Sequence, residues 1–275
     1  MNAPDSVVVV APRLLVLGGG RIGSALLEGL LSSGWADPQS CAVVEVRPDA
    51  RAVIGERFPG VVVLSEPRPA ESLVLAVKPQ DAPAALAALP AKGYRRVLSV
   101  VAGMTTAELE ASLWPGAAVV RAMPNTPALL GAGASVLAGG TSATEEDLSW
   151  AESVLSSVGV AVRLPERLLD AATGLSGSGP AYVFLVAEAL VEAGVLEGLD
   201  RDVSRALVVQ TIVGAGRMLA ESGERAEVLR AAVTSPGGTT AAGLRALESR
   251  AVRAAFLEAV SAAAARSRAL GAAGG

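Results

Sequence analysis

No histidine occurs in this chain of 275 residues, cysteine occurs once, at Cys41, and lysine only at Lys78 and Lys92. The first absence removes imidazole as a base or ligand, and with it a Ser-His-Asp triad and the usual zinc sites, so no metal is expected. A single cysteine excludes an intrachain disulfide and points to a reducing compartment, the cytoplasm. Aromatic residues make up 3% of the chain and charged residues 18%, the latter against about 25% in an ordinary globular domain. The basic residues are dispersed and the net charge is −4, so neither a nucleic-acid footprint nor a polybasic membrane patch is visible. Long apolar runs are missing as well. The run 7–10 is closed by Pro12 and Arg13, falls far short of the roughly 20 residues of a membrane helix, and has no basic residues before it, so neither a membrane span nor a signal peptide is read.

What remains is rich in alanine, valine, leucine and glycine. So much apolar content implies helices covered on more than one side, as in an oligomer. From Leu14 the chain reads as a strand "LLVLG", a glycine turn, and a helix "IGSALLEGLLSSG" that Gly34 stops. A second strand, "CAVVEV", and a helix-like stretch over 48–58 follow. Apolar runs recur at "GVVVLS", "SLVLAVKP", "RRVLSVVAG" and "AAVVRAMPN", the signature of a doubly wound parallel sheet. Beyond Leu164 only helical patterns appear, over 167–172, 180–193, 201–222, 226–232, 240–249 and 251–270. Pro180 opens its helix in the first turn, where a missing N–H costs nothing. The body of that helix, "AYVFLVAEALVEAG", is apolar on most faces and needs cover on two sides. The expected architecture is an α/β Rossmann-type doubly wound sheet over residues 1–164, then an all-α dimerisation domain over 165–275 that buries surface against a second subunit. The closing "GAAGG" is expected to be disordered.

"GGGRIG" sets Gly18, Gly20 and Gly23 in G-x-G-x-x-G spacing between a strand and a helix, with Arg21 and Ile22 opening the helix. The first glycine permits the turn, the second lets backbone approach a pyrophosphate, and the third packs helix on strand. An acid at the end of the second strand would receive the ribose hydroxyls of NAD, whereas an arginine would pair with the extra phosphate of NADP. Glu45 comes one residue before the diagnostic position, Val46, while Arg47 follows and Arg51 lies one helical turn on. The balance favours NADP and leaves NAD open.

A second site has no titratable group. "SPGGTT", residues 235–240, runs straight into a helix, and Thr239 or Thr240 can cap it. Unshared N–H groups at such a start bind a carboxylate or phosphate. "LSGSGPAY", residues 175–182, repeats the combination of glycine and serine ahead of a helix. Two such loops in one helical domain suggest a small anionic substrate held between them.

These stretches resemble the pyrroline-5-carboxylate reductase family. The resemblance rests on "GGGRIGSALLEGL", "AVKPQD", "VVAGM", "RAMPNTPALLGAG", "GLSGSGPAYVF", "GLDRDVSRAL" and "VTSPGGTTAAGLRALE", in the family's order over about residues 13–270. It implies reduction of the cyclic imine 1-pyrroline-5-carboxylate to L-proline with NADPH or NADH. It further implies an intertwined homodimer and, in many members, a decamer of five dimers. Carried over residue by residue, the substrate carboxylate would meet Ser235, Gly238, Thr239 and Thr240, with the Thr240 hydroxyl near the ring nitrogen and Val233 and Thr173 lining the pocket. Met123, Pro124 and Asn125 would border the nicotinamide, with "VVAGM" beneath it, and Ala76, Val77 and Lys78 the pyrophosphate and ribose. The segment "EVRPDAR" departs from the family's phosphate-binding pattern.

Such a reaction tolerates the missing histidine. A protonated imine is already electrophilic, so the protein has chiefly to hold its carbon close to the hydride donor and dry the site. Either the iminium forms in solution, or a hydroxyl such as Thr240 relays the proton. Lys78 reads as a cofactor or solvent contact rather than an acid, Glu188 and Glu192 as polar edges of a dimer interface, Trp35, Trp114 and Trp150 as packing residues, and Cys41 as an inert core thiol. A β-hydroxy-acid enzyme of the same plan would need a lysine in its second-domain helices, and none follows Lys92. A non-enzymatic nucleotide sensor would have let the substrate loops decay, and both are intact.

Overall fold

A computed structural model describes residues 12–91 and 93–272. The apolar run 7–10, Lys92 and residues 273–275 lie outside them; of "GAAGG", Gly271 and Ala272 complete the last helix instead of fraying, because the alanine-rich pattern before them keeps high helix propensity.

Strands β1 (Leu14–Leu17), β2 (Cys41–Val44), β3 (Val62–Leu64), β4 (Ser72–Leu75), β5 (Arg96–Ser99), β6 (Ala118–Met123), β7 (Gly133–Gly139) and β8 (Gly159–Arg163) form one sheet in the order β3-β2-β1-β4-β5-β6-β7-β8. The first six follow the Rossmann order. Every pairing is parallel except β6 with β7, so the sheet is parallel-dominated rather than wholly parallel. The cause is the link after β6: a 3₁₀ turn over Thr126–Leu130, closed by Gly131 at φ 70°, is too short for a parallel crossover.

Helices α1 (Arg21–Ser32), α2 (Pro48–Arg57), α3 (Ala82–Ala87), α4 (Thr106–Ser112) and α5 (Glu145–Ser156) flank the sheet strands in sequence. All four residues of β1 are buried. Leu14 and Val16 pack with Leu26, Leu27 and Leu30 of α1, whereas Leu15 and Leu17 pack with Leu73, Leu75 and Val97. Two separate cores on alternate residues explain why β1 reads as an unbroken apolar run: both faces of the sheet are covered.

Then come α6 (Leu169–Ala172), a π turn over Thr173–Gly177, α7 (Gly179–Leu196), α8 (Arg201–Glu221), α9 (Ala226–Ala232), α10 (Thr239–Ser249) and α11 (Val252–Ala272). The last helix starts after Ala251, whose φ of 52° takes it out of the helical region. By its contacts the chain divides into two compact units, one running to Gly177 and regaining the segment from Ala263 onward, the other Ser178–Ala262. The first unit extends past the expected limit at 164 because Leu169 packs with Val136 and Ala138 of β7, and because the Ser267 hydroxyl donates to Asp170 at 2.6 Å. In the second unit α7 and α8 pack on each other, yet no residue of α7 is buried. The π turn makes the helical path continuous from α6 into α7. By length and composition alone the helical stretch Glu166–Leu196, which holds an 18-residue window with a mean hydropathy of 1.5, is long and apolar enough to cross a membrane, whereas the sequence pattern reads 167–172 and 180–193 as separate shorter helices.

Candidate active site

The three glycines differ in what surrounds them. Gly18 has φ +108°, and a Cβ on it would stand 2.6 Å from the Ala76 carbonyl oxygen. A Cβ on Gly23 would meet the Gly18 carbonyl oxygen at 2.0 Å, whereas one on Gly20 would meet nothing within 4 Å. Thus Gly18 and Gly23 are required by the protein's own packing, and Gly20 leaves room in front of α1. That helix starts at Arg21 with Gly20 as its cap and no side-chain capping bond, so its first N–H groups are available to an anion. Sequence reasoning passed over Gly19, where a Cβ would lie 2.3 Å from Ile54 Cδ1. The cradle fits a dinucleotide pyrophosphate.

Parallel strands put the other cofactor candidates at the same edge. Ala76, Val77 and Lys78 follow β4, whose end is tied to β1 by Ala76 N–H donating to Leu17 O at 2.8 Å; Lys78 is exposed. "VVAGM" follows β5, Met123 ends β6, and Pro124 and Asn125 follow it. Dinucleotides bind at this carboxyl edge, where strand order reverses between β1 and β4.

Glu45 is the first residue after β2. Its side chain is 11% exposed and accepts the Arg47 N–H at 3.0 Å, with the Arg47 guanidinium 3.5 Å away. Arg51 donates to the carbonyls of Glu45 and Val46 at 3.0 and 2.8 Å, which pins the loop, while Val46 is 75% exposed. The Arg47 side chain is 67% exposed and its guanidinium also lies 3.9 Å from Asp49.

Thr173 lies in the π turn, and its hydroxyl donates to Leu169 O at 2.8 Å. A Cβ on Gly177 would come 3.2 Å from Met123 Cε and 3.4 Å from Thr173 Cγ2, so Met123 and Thr173 meet over this glycine. Both polar ends of the Asn125 amide are engaged within the chain, Nδ2 donating to Ser176 O at 3.0 Å and Oδ1 accepting Ala134 N–H at 2.9 Å. "LSGSGPAY" is consequently no open helix start: its residues continue the helical path, and no second anion nest exists there.

In the other unit, Val233 ends α9 and is 60% exposed. Gly237 takes φ +69°, and Gly238, not Thr239 or Thr240, caps α10. A Cβ on Gly238 would lie 2.3 Å from Ser235 Oγ, the movable end of a side chain. A glycine cap leaves no side-chain acceptor on the first-turn amides, and Thr239 and Thr240 enter the helix with exposed side chains. Ser235 and Gly238 are joined by Gly238 N–H donating to Ser235 O at 3.1 Å.

One polar cluster escaped sequence reasoning. Glu166 accepts the Thr106 N–H at 2.7 Å, the Thr106 hydroxyl, and Arg121 Nη1 at 3.1 Å. Burial pushes its carboxyl up, but the Thr106 bonds and the Arg121 guanidinium outweigh that and hold it below the usual carboxylate range. Burial also pushes the Cys41 thiol up, against a weaker pull from Ser40, which makes it a poor nucleophile. Glu188 and Glu192 are exposed on α7, and among the described residues no group of three or more His, Cys, Asp or Glu is placed to hold a metal.

A Rossmann-ordered sheet with an open glycine cradle, followed by a helical unit, defines an oxidoreductase that uses a nicotinamide dinucleotide. Residues 13–103 match the family model described as NADP oxidoreductase, coenzyme F420-dependent, and residues 166–270 the one described as pyrroline-5-carboxylate reductase dimerisation. The chain is 41% identical over 263 residues to a pyrroline-5-carboxylate reductase of Methanosarcina acetivorans, covering 93% of this chain and 96% of that protein. Among solved structures, the pyrroline-5-carboxylate reductase of Coxiella burnetii superposes with a TM-score of 0.87 at 34% identity, over 95% of this chain and 99% of that one. A Plasmodium falciparum pyrroline carboxylate reductase with NADP bound gives 0.79 at 30% identity, over 94% and 98%. The chain belongs to the pyrroline-5-carboxylate reductase family.

Proposed function

We propose how this chain performs its family's reaction, the NAD(P)H-dependent reduction of 1-pyrroline-5-carboxylate to L-proline, the final step of proline biosynthesis. The reduced nicotinamide supplies the hydride that ends on the imine carbon. Gly18, Gly20, Arg21, Ile22 and Gly23 hold the pyrophosphate on the amides opening α1, while Ala76, Val77 and Lys78 border it and the ribose. Met123 and Pro124 wall the nicotinamide side, with Asn125 contributing backbone only because its amide is engaged. Arg47, whose side chain is largely exposed, favours NADPH over NADH.

The substrate carboxylate is taken by the amides and hydroxyls of Ser235, Gly238, Thr239 and Thr240, beside Val233; Thr173, in the first unit, is assigned to the substrate pocket by the family resemblance. The observation that carries this reading is the glycine cap of α10, which leaves first-turn N–H groups without a side-chain acceptor and so open to an anion. With no histidine in the chain, the Thr240 hydroxyl is the group that meets the proton-bearing nitrogen. The exposed apolar faces of α7 and α8 are covered by a second copy rather than by lipid, since they fall within the matched dimerisation region, and five such dimers make the assembly. A single buried cysteine and a reducing cofactor agree with the cytoplasm.

The test is steady-state oxidation of NADPH and NADH with racemic pyrroline-5-carboxylate, for the wild type and Thr240→Val. Proline should form, with a higher kcat/KM for NADPH. Thr240→Val should lower kcat by about tenfold or more with cofactor affinity unchanged; an equal loss of cofactor affinity would show that this loop is misassigned.

A further inference from the structure

We propose that Asn125 is a positioning residue whose side-chain amide sets the π turn Thr173–Gly177, and through it the pocket wall formed by Thr173; this rests on the assignment of Thr173 to the pocket made above. The sequence itself orphans a carbonyl in this turn. In an α-helix Ser176 C=O would accept the N–H of residue 180, but residue 180 is proline and has none. The next amide, Ala181 N–H, donates instead to Ser178 O at 3.0 Å. Asn125 Nδ2 donates to Ser176 O at 3.0 Å, from 51 positions away in sequence.

The other end of the same carboxamide accepts Ala134 N–H at 2.9 Å, at the start of β7. One side chain therefore fastens together the end of β6, the start of β7 and the π turn. From inside, two hydroxyls fold back on the preceding helical turn: Thr173 Oγ1 donates to Leu169 O at 2.8 Å and Ser176 Oγ to Ala172 O at 2.9 Å. Such back-bonding loosens a regular helix, and π turns recur at functional sites because they shift side chains out of α register. Here the shifted register brings Thr173 and Met123 to the empty face of Gly177. Without the Asn125 donor, Ser176 O loses the partner that the proline denies it, and the turn is free to slip.

Asn125→Asp keeps the acceptor for Ala134 but opposes an oxygen to Ser176 O. It is compared with wild type and Thr173→Val in steady-state kinetics with pyrroline-5-carboxylate and NADPH, in NADPH titration without substrate, and in thermal melting. We expect KM for the pyrroline to rise about tenfold or more, the NADPH Kd to stay within about twofold, and Tm to move by less than about 4 °C. Thr173→Val should raise KM in the same direction. A rise in NADPH Kd equal to the rise in KM would make Asn125 a cofactor ligand and overturn the proposal, and a lowered Tm with unchanged KM would overturn it in favour of a purely structural role. If Thr173→Val raises KM and Asn125→Asp does not, the positioning role fails while the pocket assignment stands; if neither does, both fail. Should Asn125→Asp not fold, Asn125→Ser, too short to reach Ser176, carries the same expectations.

Discussion

The carbonyl oxygen of Gly18 occupies the place where a methyl group on residue 23 would project, 2.0 Å from that Cβ position. Gly23→Ala should therefore damage the fold of the cradle, by about 1–3 kcal/mol or more, read as a lower Tm without ligand. Gly20→Ala meets only open space, so it should keep the Tm of the wild type and weaken NADPH. Equal stability losses in the two variants would contradict this division.

Arg47→Ala should weaken NADPH about tenfold, about 1.4 kcal/mol, and leave NADH nearly unchanged. The guanidinium lies 3.5 Å from the mostly buried Glu45 and 3.9 Å from the exposed Asp49, so turning toward a phosphate gives up two long ion pairs on a largely exposed side chain. Equal effects on both nucleotides, in parallel titrations, would remove Arg47 from the phosphate site.

Leu185 of α7 and Leu207 of α8 are 65% and 55% exposed. Glutamate at both positions should lower the mass measured by sedimentation from that of a dimer or larger ring to that of a monomer, with loss of activity, because a charge buried in an apolar interface is unpaired. An unchanged mass would place the interface elsewhere.

Glu166 makes stability fall in acid. Its carboxyl is held below its ordinary value near 4.5, so its contribution is full above that value and is lost as pH falls through the lower, folded one. Glu166→Gln should lower stability at neutral pH by about 1–3 kcal/mol, and the gap to wild type should close as pH drops below the ordinary value. A gap constant across that range would mean that the charge on Glu166 does not matter.

Local signals carried the first unit's front half. The β1–α1 turn is legible because the glycine spacing, the strand and the helix are all contiguous. By contrast β7, α5 and β8 went unread. "GASVLAG" in β7 is buried by its place in the sheet rather than by its residue types, though α5 did announce itself, with Thr144 and Asp147 capping each other reciprocally and Leu148, Ala151, Val154 and Leu155 at helical spacing. Pro180 gave a true signal, since α7 begins at Gly179 with the proline in its first turn, but nothing near it announces that the turn before it meets a donor 51 residues upstream of Ser176. The Glu166 cluster joins residues 60 and 45 positions apart, a separation no window on the sequence spans.

A helix of 18 residues with none of them buried has little reason to stay ordered once its partner leaves. For the helical unit, losing the partner and losing order are coupled, and the population of active enzyme becomes a function of how much of it is present. Dilution then acts as a denaturant: the melting temperature should climb with protein concentration, and a cell making too little of this chain would lose a larger share of its activity than of its protein.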